Sequence, residues 1–267
     1  MAATTHSAAA LRVLQITDSH LGEQAGERLL NLDTDQSLAA VIDLIAQEQS
    51  GCDLLLATGD IANHASVAAY QRFQKLTQYI APETLWLPGN HDDPELMAQA
   101  LGQPLVKSAT FGNWLIIMLD STARGQVGGS FTEQELSYLQ QQLNEAADHH
   151  VLICLHHHPV DIGCAWLDEQ RVSNAADFFK LVDGCPQVRG IVWGHVHQQL
   201  DTQRKGVQLM STPSSCVQFA PASERFKLDR LNPGYRWLDL HADGRISTGI
   251  SRVTLSFDIH YDNADGY

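Results

Sequence analysis

Five short apolar runs in this chain each stop abruptly at a histidine, an aspartate or both. Residues 11–16 alternate apolar and polar and lead into Asp18-Ser19-His20. Residues 54–57 lead into Gly59-Asp60, and 85–87 into Pro88-Gly89-Asn90-His91-Asp92. Residues 151–155 run straight into His156-His157-His158-Pro159, and 188–193 into Gly194-His195-Val196-His197. Runs of this length and composition read as strands. Open α/β sheets carry their sites just beyond the carboxyl ends of such strands. Any one of these clusters, taken alone, reads as a turn or a helix cap. Their recurrence at five strand ends is what restricts the chain.

Helical patterns lie between the first three runs. Residues 33–49 place Leu38, Val41, Ile42 and Ile45 at helical spacing, and 66–80 do the same with Val67, Tyr70, Phe73, Leu76 and Ile80. The order β-α-β-α-β predicts a largely parallel sheet with right-handed crossovers. A short helix follows over 94–101, then a strand over 114–119 ending at Asp120-Ser121. Thr132 and Glu135 form a capping box for a helix through Ala147. The rest is strand-rich: 207–211, 236–240 and 247–257, with a turn at Asp243-Gly244. This is an α/β chain with a single expected domain over 11–257, an N-terminal tail over 1–10 and a polar tail over 258–267.

Hydrophobic residues make up 44% and charged residues 18%, which supports a sizeable core and argues against disorder. A net charge of −14 disfavours nucleic acid and acidic membranes as partners, and no basic stripe offsets it. Five scattered cysteines without a C-x-x-C pair argue for reduced thiols. With no leader pattern in the first residues, a cytoplasmic location is expected. A small-molecule substrate is the expected partner; the oligomeric state is left open. An enzyme with this charge acting on an anionic substrate needs local positive charge, and metal ions supply it.

Only aspartate, asparagine and histidine stand at the strand ends. Nitrogen and oxygen donors without thiolate suit iron, manganese, zinc or cobalt. Seven such side chains exceed one ion's needs and fit two ions sharing a carboxylate. Two ions about 3.5–4 Å apart are the common device for hydrolysing phosphate esters.

The ordered motifs D-x-H, G-D, G-N-H-D, H-H and G-H-x-H, from Asp18 to His197, resemble those of the calcineurin-like metallophosphoesterase family. The resemblance implies a four-layer α/β/β/α sandwich. It implies a first metal held by Asp18, His20, Asp60 and His197, and a second by Asp60, Asn90, His195 and one histidine of the triplet. The family's H-H-P-P pattern puts that ligand at His156; an H-x-P register would put it at His157. The two divalent transition-metal ions are expected to be iron first, with manganese or zinc next. His20, Asp60, Asn90, His91 and His197 are then the residues around the substrate.

A narrower resemblance, to the bacterial class III cyclic nucleotide phosphodiesterases, rests on stretches outside the metal motifs as well. These are Gly163-Cys164-Ala165-Trp166-Leu167-Asp168, Thr212-Pro213-Ser214-Ser215-Cys216-Val217-Gln218-Phe219 and Leu240-His241-Ala242-Asp243-Gly244. It implies hydrolysis of 3′,5′-cyclic AMP to 5′-AMP, with a hydroxide between the two ions attacking phosphorus in line with the 3′ oxygen. His91, beside a ligand, is the expected donor of the proton to the leaving alkoxide; the alternative is that it orients a ligand. Trp166 is expected either to line a base pocket or to belong to the core. The same chemistry on 2′,3′-cyclic nucleotides or glycerophosphodiesters, or a binding module on the same fold, are the competing readings.

Overall fold

The computed structural model describes residues 10–262 of the 267-residue chain. Two sheets pack face to face. The first has the strand order Ile246–Arg252, Gly234–Leu240, Leu11–Ile16, Leu54–Thr58, Thr84–Leu87. Its last three strands are parallel and are connected through the helices Thr34–Glu48 and Val67–Thr77, as the β-α-β-α-β pattern requires. The C-terminal hairpin adds to them antiparallel. The second sheet has the order Leu200–Arg204, Val207–Ser211, Val188–Trp193, His150–Cys154, Trp114–Met118, Ser108–Phe111. Its four central strands are parallel and its two edges antiparallel. The second sheet is therefore parallel at its centre, and the first along one side.

The two-residue alternation of strands divides the apolar side chains among three cores. Val13, Leu54, Leu56 and Leu85 meet Ile116, Leu152, Val192 and Met210 between the sheets. Their neighbours Leu14, Ile16, Leu55 and Ala57 face Leu38, Val41, Tyr70 and Phe73 of the first two helices. On the far side, Ile117, Val151, Ile153 and Trp193 face Leu139 and Leu143 of helix Glu133–Glu145 and Phe178 and Val182 of helix Ala175–Val182. The result is the expected α/β/β/α sandwich. Asp33 caps the first helix by accepting from Gln36 N (3.0 Å), and Thr132 caps Glu133–Glu145 by accepting from Glu135 N (3.1 Å).

The last strand is shorter than its pattern. It ends at Arg252, because its partner starts at Gly234 and the preceding Pro233 has no N–H to continue the ladder. Beyond it, the expected polar tail is anchored at its start. His260 N donates to Leu30 O (2.9 Å), Asn31 Nδ2 donates to Asp258 Oδ2 (2.8 Å), and Ile259 and Tyr261 pack on the core. The rest of that tail, 263–267, and residues 1–9 of the expected N-terminal tail lie outside the described residues. No helix among the described residues is long and apolar enough to cross a membrane.

One buried cation ties the sheets together. Arg236, on the first sheet, is fully buried and donates to Asp201 Oδ1 (2.8 Å), Ser211 O (2.7 Å) and Thr212 Oγ1 (3.2 Å), all beyond the second sheet's strand ends or on it. Replacing it strands two acceptors that water cannot reach, Ser211 O and Thr212 Oγ1, while Asp201 is exposed and can turn to solvent. Arg236→Met is expected to lower unfolding free energy by roughly 1–3 kcal/mol for each stranded acceptor, read as a lower urea midpoint at unchanged m-value.

Candidate metal centre

The carboxyl ends of five parallel strands meet at one edge of the sandwich. Asp18 and His20 follow Leu11–Ile16, Asp60 follows Leu54–Thr58, Asn90 and His91 follow Thr84–Leu87, His156 follows His150–Cys154, and His195 and His197 follow Val188–Trp193. The backbone turns sharply at these tips. Asp18, His20, Asp60, His195 and His197 all have positive φ, between 46° and 63°. Such φ values in non-glycine residues cost of order 1–3 kcal/mol each and persist only where the surroundings enforce them. Here Asp18 N donates to Gly59 O (3.0 Å), His20 N to Asp60 O (2.9 Å) and His195 N to Asp18 Oδ1 (3.0 Å). Gly59 (φ 93°) is needed twice over, because a Cβ there would strike the His156 ring and come within 2.8 Å of Gly89 Cα.

The side chains converge from these turns. His20 Nε2 and His197 Nε2 are 3.2 Å apart, and His197 Nε2 is 3.3 Å from Asp18 Oδ1. His156 Nε2 lies 3.2 Å from both Asp60 Oδ2 and Asn90 Oδ1. Asp60 Oδ2 stands between the two groups, 3.9 Å from His20 Nε2. Donor atoms of Asp18, His20 and His197 lie within 4.8 Å of one another, and so do those of Asp18, Asp60 and His156.

Hydrogen bonds set the tautomers. His156 Nδ1 donates to Thr58 O (2.9 Å) and His197 Nδ1 to Val217 O (2.8 Å). Each Nε2 is thereby left as a lone pair directed into the cluster. His157 turns away: its Nε2 donates to Val127 O (2.9 Å) and its Nδ1 pairs with Ser121 Oγ (2.8 Å). His158 stacks on His195 (centroids 5.8 Å, 19°), and burial pushes its imidazole down to about 3.

Burial holds His20, His157 and His195 well below the ordinary imidazole range, and neighbouring imidazoles push them further down. They are neutral donors of electron pairs. Burial works against the Asp60 carboxylate, yet His156, His91 and His20 keep it well below the usual range. Burial likewise opposes a charged His156, but Asp60 lifts it to about 9. His195 Nε2 is buried with no hydrogen-bond partner among the described residues. An orphaned imidazole nitrogen among carboxylates and other imidazoles, with no thiolate present, fits divalent transition-metal ions.

Asp92 has a different task from its neighbours. Its carboxylate accepts from Gly89 N (2.9 Å), Ala62 N (3.1 Å) and Ile61 N (3.2 Å), clamping the Asp60 loop to the Asn90 loop. Burial and the nearby Asp60 raise it to about 6. His91 N donates to Asp60 Oδ1 (2.9 Å) and His91 Nδ1 to Asn63 O (2.7 Å); its ring meets His20 edge-on at 4.9 Å.

A cleft of about 280 Å³ opens over the cluster, lined by Asp60, Asn90, His91 and His197 on one side and by aromatic residues on the other. Phe219 lies flat on His197 (4.1 Å, 5°), and Trp166 meets Phe219 and Phe226 edge-on at 5.1 and 5.4 Å. Trp166 thus both packs and lines the cleft. Phe226, Gln170 and Val127, which also line it, stand in irregular loops with no periodicity to single them out.

Residues 11–199 match the family of calcineurin-like phosphoesterases. A 3′,5′-cyclic adenosine monophosphate phosphodiesterase CpdA from Pseudomonas aeruginosa is 44% identical, covering 97% of this chain and 96% of that one. The protein of the same name from Escherichia coli K12 is 42% identical, covering 92% and 90%. Among solved structures, a dimetal phosphatase from Danio rerio superposes with a TM-score of 0.63 at 17% identity, covering 92% of this chain and all of the other.

The clamp generates a test. Asp92→Ala removes the acceptor of three backbone N–H groups without touching a candidate ligand. Affinity for divalent metal is expected to fall about 10–100-fold, as loss of an orienting partner typically does. Titration of the metal-free protein with Mn²⁺ measures it, and unchanged affinity would show that the two loops hold their places unaided.

Proposed function

The chain belongs to the calcineurin-like phosphoesterase family, and from that premise we propose that it hydrolyses 3′,5′-cyclic AMP to 5′-AMP. The observation that carries the substrate is the similarity, over nearly the whole chain, to proteins named as cyclic AMP phosphodiesterases. Ligands to a phosphate-activating centre see only the phosphate and do not separate one phosphodiester from another.

In this reading Asp18, His20, Asp60 and His197 hold one ion, and Asp60, Asn90, His156 and His195 the other. His156 is preferred to His157 because its Nε2 faces Asp60 and Asn90, whereas both ring nitrogens of His157 are engaged elsewhere. Iron is proposed first among metals that accept this donor set, ahead of manganese or zinc. When bound, the two ions supply Lewis acidity to the phosphoryl group and lower the pKa of the attacking water. The five cysteines are unpaired, which supports the cytoplasm as its compartment.

The protein's own groups do the rest. The Asn90 carboxamide, beside the phosphoryl position, balances charge that develops on its oxygens. His91 Nδ1 donates to Asn63 O (2.7 Å), which supports giving Nε2 the part that meets the substrate. As the new P–O bond forms and the bond to the 3′ oxygen breaks, a proton on Nε2 passes to the leaving alkoxide. The Asn63 carbonyl fixes the orientation of the ring by accepting its other N–H.

A panel of cyclic AMP, 2′,3′-cyclic AMP and a glycerophosphodiester on metal-loaded protein tests the substrate. Cyclic AMP should turn over fastest, with 5′-AMP as product. Efficient glycerophosphodiester hydrolysis without cyclic AMP turnover would reassign it, and 3′-AMP as the main product would reverse the geometry. The role of His91 is separable from this. A ribose alkoxide needs a proton on leaving and a nitrophenolate does not, so His91→Ala should cost about 10²–10⁴-fold on cyclic AMP and far less on bis(p-nitrophenyl) phosphate. Equal losses at full metal occupancy would exclude the acid role.

A further inference from the structure

The cleft continues past the metal-ligand cluster into a region that phosphate chemistry does not need. Its wall is the aromatic trio Trp166, Phe219 and Phe226, tied to the cluster by the flat contact between Phe219 and His197. Among the described residues, Asp60 is the only acidic one lining the cleft, and no lysine or arginine does. The surface beyond the cluster is therefore neutral, apolar and suited to a flat ring.

One polar side chain stands in that surface and one polar atom lies beneath it. Trp166 Nε1 is buried and has no hydrogen-bond partner among the described residues, an unusual state for an indole N–H. Four residues on, Gln170 also lines the cleft, and its carboxamide is engaged by no described residue. The loop that presents both is pre-built. Asp168 accepts from Ile162 N (2.7 Å), Gly163 N (3.1 Å) and Cys164 N (3.1 Å), and Ala165 N donates to Ser223 O (3.0 Å), pinning the Trp166 loop to the Phe226 loop.

A carboxamide that both donates and accepts, set beside a neutral aromatic wall, describes a partner. It is a planar heterocycle with ring acceptors and an exocyclic amine. Resting on the cyclic phosphodiesterase reading above, we propose that Trp166 and Gln170 form an adenine-recognition subsite that makes the enzyme prefer cyclic AMP to cyclic GMP. The carboxamide pairs with adenine in both directions at once, accepting from N6–H and donating to N7. Guanine presents two acceptors, O6 and N7, at the same edge, so the carboxamide oxygen would face an oxygen. The aromatic rings, Trp166 among them, cover the face of the base.

The test compares kcat/KM on cyclic AMP, cyclic GMP and bis(p-nitrophenyl) phosphate for the metal-loaded wild type, Gln170→Leu and Trp166→Phe. Both variants keep an apolar wall. Gln170→Leu should lose about tenfold or more on cyclic AMP, chiefly through KM, and much less on cyclic GMP, so that the preference collapses. Trp166→Phe should lose about fivefold on cyclic AMP through its smaller stacking face, again beyond its loss on the nitrophenyl ester. A wild type indifferent to the base would overturn the subsite, as would an unchanged cyclic AMP to cyclic GMP ratio in both variants, or equal losses on all three substrates. In those cases hydrolysis of cyclic AMP itself would leave the phosphodiesterase reading in place. Activity on bis(p-nitrophenyl) phosphate with none on either cyclic nucleotide would instead remove that reading, and the subsite with it.

Discussion

A carboxylate that is 2% exposed and surrounded by imidazoles is the constraint on which the site depends. Removing the Asp60 charge from water costs several kcal/mol unless neighbours compensate. The backbone N–H of His91 donates to it directly, and the surrounding imidazoles hold it below the usual carboxylate range. The same residue can be reached from both halves of the cluster, which requires the turns after three strands of one sheet and two of the other to arrive within a few ångströms. Positive φ at five of those turn residues is the local cost of that convergence. Gly59, the Asp92 clamp and the backbone bonds between loops are what hold it.

A polar seam behind the site transmits that placement into the sandwich. Gln15 Nε2 donates to Thr58 Oγ1 (2.7 Å), and Thr212 Oγ1 donates to the other end of the Gln15 amide. Arg236 closes the chain onto Thr212, while the Thr58 carbonyl accepts from His156 Nδ1. All four side chains are buried between the sheets, where the rest of the contact is apolar. Apolar packing alone lets two sheets slide by small amounts at little cost, because it has no direction. Hydrogen bonds do have direction, and this seam registers one sheet on the other beside the ring whose orientation matters.

Much of the candidate site is legible in the chain because apolar runs announce strands, and the residues at a strand's tip stand next to it in the sequence. Asp18, His20, Asp60, Asn90, His91, His156, His195 and His197 all occupy that position. The choice between His156 and His157 is not legible there, since adjacent residues differ only in which partners their nitrogens find. The cleft wall is only half visible. Trp166 and Phe219 stand in stretches of family resemblance, whereas Phe226 and Gln170 lie in loops whose placement is set by tertiary bonds such as Ala165 N to Ser223 O. The edge strands Ser108–Phe111 and Leu200–Arg204 escape a reading of the sequence for a related reason: they are largely solvated, so they carry no apolar alternation.

The two walls of the cleft are built on different principles. The metal-ligand wall comes from the ends of rigid parallel strands, strained and heavily cross-bonded, and its residue types are dictated by what can hold a cation. The facing wall comes from two loops, around Trp166 and Phe226, joined to each other and capped by Asp168. Changing a side chain on the first wall alters whether any phosphoester is cleaved. Under the proposed subsite, changing one on the second alters which one. Loops tolerate such change far better than buried strand ends. In that proposal substrate identity is argued from the aromatic loops and the unengaged Gln170 carboxamide rather than from the histidines, which see only the phosphate.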